Sequence, residues 1–165
     1  TEIYTLSLHD ALPISDINKI WAFLIDFSLS LHFNRFHTKL ELPAQYSIGK
    51  LKFFKIVHNF GFGKYDMVAE ITDCIPPNKL CLWEYCVDDK KKGFPHKVKF
   101  QIEPDGNKCT LSYTVTGTYG GKVQDLSFKP ILKGVVIEEL LKIKNAIESS
   151  ENVTKPLASE TGKPI

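Results

Sequence analysis

The stretch His96-Lys97-Val98-Lys99-Phe100-Gln101-Ile102-Glu103 decides the architecture. Its apolar and charged residues alternate with a period of two, the signature of a strand with one face covered and the other wet. His96, Val98, Phe100 and Ile102 share one face; Lys97, Lys99, Gln101 and Glu103 share the other. Pro104-Asp105-Gly106-Asn107 is a turn, and a second alternating run follows over about 108–119. There Cys109, Leu111, Tyr113 and Val115 oppose Thr110, Ser112, Thr114 and Thr116. Two such strands joined by a tight turn form an antiparallel hairpin.

Working backwards, the same pattern repeats. Strands are expected over about 80–87, 64–74, 48–59 and 38–42. Their separators are the charged loop 88–93, Pro76-Pro77-Asn78 and Gly61-Phe62-Gly63. Consecutive strands with short turns predict an antiparallel meander. The facing of two strands stays open. In 80–87, Leu82 and Glu84 oppose Trp83 and Tyr85, and both faces are partly apolar. In 48–59 the pair Phe53-Phe54 permits either register.

Working forwards, Pro130 suits a helix start. Leu132, Val135, Val136, Leu140, Ile143 and Ile147 then form an apolar stripe, with Glu138, Glu139, Lys142 and Lys144 largely off it. Gly134 inside this helix suggests a close approach to the sheet or a ligand. The tail 150–165 is polar and expected to be disordered. Near the other end, Ser15 or Asp16 can cap a helix over about 16–26, and a short second helix is expected over 28–36.

Residues 1–14 stand apart. Codon for codon, Thr1 to Ile14 resemble a translated short-read sequencing adapter, so they are set aside as an assembly artefact. Tyr4, Leu6 and Leu8 alternate with Ile3, Thr5 and Ser7, so the segment can mimic a first strand. Without Glu2 and Asp10, 21 basic residues stand against 17 acidic ones.

The 165 residues suit one domain with one core, here 15–149. The formal charge is +2 and the only basic run, Lys90 to Lys92, adjoins Asp88 and Asp89, so no nucleic-acid partner is expected. No apolar run of about eighteen residues exists, which predicts no integral membrane association. The four cysteines make no Cys-x-x-Cys pair, and three lie in strands, consistent with a cytoplasmic setting. His32 and His37 lie five apart, and His58 and His96 fall on different strands. None has metal-ligand spacing, so neither metal nor cofactor is expected. No nucleophile elbow is present.

Helix, helix, strands, long helix is the order of the START-like superfamily, also called SRPBCC, without its first strand. Asp16-Ile17-Asn18-Lys19-Ile20-Trp21 with Asp26 resembles its first helix. Glu70-Ile71-Thr72-Asp73-Cys74-Ile75-Pro76-Pro77-Asn78-Lys79-Leu80 is similar to its strand-turn-strand. Leu140-Leu141-Lys142-Ile143-Lys144 with Glu148 resembles the end of its last helix. The polyketide cyclase/dehydratase branch is most similar. The resemblance implies an α+β helix-grip fold, a curved antiparallel sheet around a long C-terminal helix. It also implies a small apolar ligand (a lipid, polyketide or aromatic) held between them by a monomer or dimer.

The expected ligand-facing set is Phe54, Ile56, Tyr65, Met67, Leu82, Glu84, His96, Val98, Phe100, Leu111, Tyr113, Val115, Leu132, Val136 and Leu140. Tyr119 shares the parity of Tyr113. Inward polar groups must be hydrogen-bonded or wet, so Glu84, His96 and Tyr113 are candidates for a ligand's polar end. Glu84 and His96 are the candidate acid-base groups. Three functions remain open: a carrier or sensor, a cyclase/dehydratase-type enzyme, or an interaction domain like the chaperone-activator branch. The last requires an exposed apolar patch on the outer face rather than a large cavity, and Trp83 and Tyr85 pointing outward would favour it.

Overall fold

The computed structural model describes residues 16–153 except Phe62, Asn107 and 118–121. The expectations for 1–14, Tyr119 and tail residues 154–165 lie outside the described residues, while tail residues 150–153, expected to be disordered, are helical. Two short helices, α1 (Ile17–Ile25) and α2 (Phe27–Ser30), and a 3₁₀ turn (Leu31–Phe33) open the chain. Asp16 caps α1, its carboxylate accepting from the Asn18 backbone N–H at 2.9 Å. Ile20, Trp21, Leu24, Phe27 and Leu31 go into the core.

The sheet follows: β1 (His37–Glu41), β2 (Phe53–Asn59), β3 (Lys64–Ile75), β4 (Lys79–Cys86), β5 (His96–Asp105) and β6 (Lys108–Gly117). The strands lie in sequence order, each antiparallel to the next. This is the expected meander. Its first long strand is shorter than the sequence implies, because residues 48–50 form a turn rather than extended chain. Val98 pairs with Val115, Phe100 with Tyr113, and Glu84 with His96.

The two open facings are resolved by burial. Phe54 is buried and Phe53 is 63% exposed, so Phe54, Ile56 and His58 face inward. Leu80, Leu82, Glu84 and Cys86 are buried, which turns Trp83 and Tyr85 outward. The outward pair is not bare. Its rings lie 4.3 Å apart, with Lys90 Nζ 4.8 Å from the Trp83 centroid and 4.6 Å from that of Tyr85. The charged loop thus folds back as a cation–π cap.

Two irregularities interrupt the ladder, between Ile71 and Asp73 and between His37 and Lys39. Extra residues of this kind bend and twist a sheet. The second has a specific effect. His37 pairs with His58, but Lys39 pairs with Val57. Thr38 is therefore the extra residue, and it puts His37 on the inner face.

The helix α3 (Lys122–Val153) covers that face through Leu132, Val135, Val136, Leu140, Ile143 and Ile147. Pro130 does not start it. It sits inside the helix, where its missing N–H and ring cost about 3 kcal/mol. Phe128, buried two residues earlier, anchors the turn that Pro130 would otherwise release. Glu139 is a second correction. It is fully buried on the stripe, on the same face as Leu132, Val135, Val136 and Ile143.

Gly134 is a third. It is exposed, and a Cβ there would meet nothing within 4 Å. No close approach requires it. Gly134→Ala is therefore expected to stabilise the protein by about 1 kcal/mol through helix propensity alone. A raised urea midpoint with an unchanged slope would show this. No helix of the described residues is long and apolar enough to cross a membrane.

Candidate functional site

The expected ligand-facing residues fall together on the inner side of the grip. Phe54 and Ile56 come from β2, Met67 from β3, Leu82 and Glu84 from β4. His96, Val98 and Phe100 come from β5; Leu111, Tyr113 and Val115 from β6; Leu132, Val136 and Leu140 from α3. All are buried. Tyr65 is half-buried, its ring packed over Gly93. These side chains pack on one another: Phe100 stacks on Tyr113 at 4.6 Å, and Phe27 on Phe54 at 4.8 Å. A groove of about 530 Å³ lies on the outer face, lined by Lys97, Lys99, Ser112 and Thr114 among others. One of about 640 Å³ lies between α1 and the loop around Tyr46.

Two polar clusters interrupt this apolar interior. The first joins Asn34, Tyr113 and Glu139. The Asn34 amide donates to Glu139 Oε2 at 2.8 Å, and the Tyr113 phenol is hydrogen-bonded to the same carboxyl. Glu139 Oε1 is buried with no hydrogen-bond partner. Burial is the main reason its pKa rises to about 8, and the Glu84 charge adds to it. Tyr113 is pushed well above 10 by burial and by the two carboxyls. At neutral pH this corner holds two protonated groups.

The second cluster joins His37, His58, Glu84 and His96, whose side chains are at most 8% exposed. The three imidazole Nε2 atoms lie 4.0, 2.8 and 3.4 Å from Glu84 Oε2. His37 and His58 face each other at 4.6 Å between ring centres, and His58 and His96 at 5.6 Å. His37 Nδ1 lies 2.7 Å from the Leu31 carbonyl and His96 Nδ1 2.7 Å from that of Phe94. A carbonyl only accepts, so Nδ1 carries the proton in each ring and Nε2 is left to face Glu84. Burial lowers His37 to about 3 and also lowers His96, which keeps both rings neutral at pH 7. Burial pushes Glu84 up, but His96, His58 and His37 outweigh it and hold the carboxyl below its ordinary value, at about 2. The close His58–Glu84 approach lacks hydrogen-bond geometry, and both Glu84 oxygens, both His58 nitrogens and His37 Nε2 are buried without a hydrogen-bond partner.

An aromatic wall surrounds this cluster. Phe60 packs on His58 at 5.0 Å and Phe94 stacks on His96 at 4.8 Å. Phe36, Phe60, Phe94 and Phe128 meet one another at 5.2 to 6.1 Å. Gly117 makes room for it: a Cβ there would come within 2.7 Å of the His96 Cβ and 2.8 Å of the Pro95 carbonyl.

The sequence reading reached Glu84, His96 and Tyr113 but missed His37, His58, Asn34 and Glu139. The parity of His58 with Ile56 and the helical spacing of Glu139 were usable signals. His37 offered none, since a bulge sets its facing. Sequence spacing does not bring His58 and His96 together, because β2 and β5 are separated by two strands and meet through sheet curvature.

No family model and no curated protein matches the chain. Solved structures do match. A conserved protein from Geobacillus kaustophilus superposes with a TM-score of 0.64 at 22% identity, over 90% of this chain and 95% of that one. The di-domain ARO/CYC protein StfQ of the steffimycin biosynthetic pathway superposes with a TM-score of 0.67 at 13% identity, over 91% of this chain and 51% of StfQ. DynU16, a protein of the dynemicin biosynthetic locus, gives 0.55 at 13% identity, over 90% and 47%. These likenesses show a shared helix-grip fold: a curved antiparallel sheet around a long C-terminal helix.

Proposed function

We propose that this chain is a carrier or sensor of a small, largely apolar molecule (a lipid, polyketide or aromatic) bearing a carbonyl or hydroxyl group. The supporting observation is Glu139. It is a carboxyl kept neutral by its apolar surroundings, with one oxygen unpartnered beside the Tyr113 phenol. A buried polar atom left unpaired costs about 1–3 kcal/mol. A ligand oxygen at that point would remove the cost. The rest of the surroundings is apolar, the usual composition of a small-molecule site. The wall of Phe36, Phe60, Phe94 and Phe128 would supply apolar contacts for the rest of the ligand.

The test is native mass spectrometry of the full chain. It is run first on the protein as purified, then in titrations with fatty acids and aromatic ketones. Saturable one-to-one binding is expected. Glu139→Leu should weaken an aromatic ketone by about tenfold, the equivalent of one hydrogen bond at 1.4 kcal/mol. A folded protein that binds nothing in either series overturns the reading.

A second reading has its own observation. Two buried carboxyls are displaced in opposite directions, Glu139 up and Glu84 down. Such a divergence is how one site supplies an acid and a base. In a cyclase/dehydratase-type reaction Glu139 would donate to a carbonyl, and Glu84 or His96 would take the proton from the adjacent carbon. Glu139→Gln that retains ligand but loses turnover would support the enzyme. Unchanged turnover would sink it.

A further inference from the structure

The second cluster has chemistry that ligand binding leaves unused. Two imidazoles are locked by backbone carbonyls with Nε2 aimed inward, a third lies between them, and all converge on one carboxylate. His37 Nε2, both His58 nitrogens and both Glu84 oxygens have no hydrogen-bond partner. The Nε2 lone pairs of His37 and His96 and the Glu84 carboxyl thus converge in a Phe-lined enclosure, with the His58 ring between them. A cation at the centre would engage these nitrogens and the carboxyl together.

We propose that His37, His58 and Glu84 bind a divalent transition-metal ion of the zinc class, with His96 the nearest further donor. One ligand atom from each of the three lies within 4.8 Å of the others. Tetrahedral zinc with bonds near 2.0–2.1 Å needs ligand atoms about 3.3 Å apart. The observed 2.8 and 4.0 Å separations from Glu84 Oε2 bracket that value. Two neutral imidazoles and a carboxylate suit zinc, cobalt and iron rather than calcium or magnesium, which prefer all-oxygen sites. The Leu31 and Phe94 carbonyls play the outer-shell part, fixing the tautomer and ring orientation of His37 and His96.

The experiment uses the full chain, stripped with a chelator and shown to be folded by circular dichroism. It is titrated with Zn²⁺ by calorimetry and with Co²⁺ by visible absorption. Expected are one ion per chain, a rise in Tm that follows metal concentration, and the intense visible bands of low-coordinate Co²⁺. His58→Gln and Glu84→Gln should each weaken Zn²⁺ by more than about 100-fold, beyond the 10–100-fold that losing an outer-shell partner costs. Glu139→Gln, in the other cluster, should bind Zn²⁺ like the parent, which separates this proposal from the ligand reading. No saturable binding by the folded parent overturns it. So does Zn²⁺ binding that survives both substitutions, and so does a Co²⁺ spectrum of the weak, six-coordinate kind. Should a glutamine variant fail to fold, the parent's Co²⁺ spectrum and stoichiometry decide.

Discussion

Glu139→Gln is expected to remove a steep loss of stability that the parent suffers as pH rises from about 4.5 to 8. The carboxyl has an ordinary value of 4.5 and is raised to about 8 in the fold by burial, with the Glu84 charge adding to it. Across that window the folded chain holds a proton that the unfolded chain has released. Stability therefore falls with increasing pH, and levels off above the folded value. A shift of this size corresponds to several kcal/mol, at roughly 1.4 kcal/mol per pH unit. Glutamine keeps the shape and the contact with Asn34 but has no proton to lose. His37 and His96 act in the opposite sense. They are lowered by burial, so they make stability rise with pH up to about 6.5, the ordinary histidine value. Urea midpoints of parent and variant at matched pH separate the two effects, because the histidines cancel in the difference. The difference should grow with pH and favour the variant at pH 8. A constant difference would mean that Glu139 is ionised throughout.

Phe100→Ala is expected to destabilise the fold by about 3–5 kcal/mol. Phe100 is 1% exposed, lies in the middle of β5 opposite Tyr113 and stacks on its ring at 4.6 Å. Removing the ring loses buried apolar area and leaves a cavity that the sheet, paired on both sides of β5, cannot close. Chemical denaturation checks the magnitude. A loss below about 1 kcal/mol would mean that the grip collapses onto the gap. The same variant bears on function: a small aromatic solute that fills the new space should recover part of the stability, in proportion to its occupancy.

Much of this fold was legible in the sequence. The period-two alternation of 96–103 and 108–117 set the inward faces of β5 and β6, because a pleated strand must send successive side chains to opposite sides. The turn residues set the order of strands, since short Gly and Pro turns allow antiparallel neighbours and little else. The stripe from Leu132 to Ile147 identified the helix that covers them. His96 and Tyr113, polar residues sharing parity with that apolar set, were found for the same reason, whereas the facing of Glu84 stayed open until burial resolved it.

What escaped was whatever depends on distance across the sheet. Pro130 argued for a helix start, but the buried Phe128 ahead of it outweighs local propensity. Glu139 was read as solvent-facing from its charge, although its spacing puts it on the stripe; burial is possible because the fold keeps it protonated and bonded to Asn34, 105 positions away in sequence. His37 faces inward only because Thr38 is an extra residue in the β1–β2 ladder. His58 meets Glu84 and His96 only because the sheet curls. Periodicity is a local property of a chain and can assign a face. Which groups on that face touch is set by curvature and bulges, and only the tertiary structure decided it here.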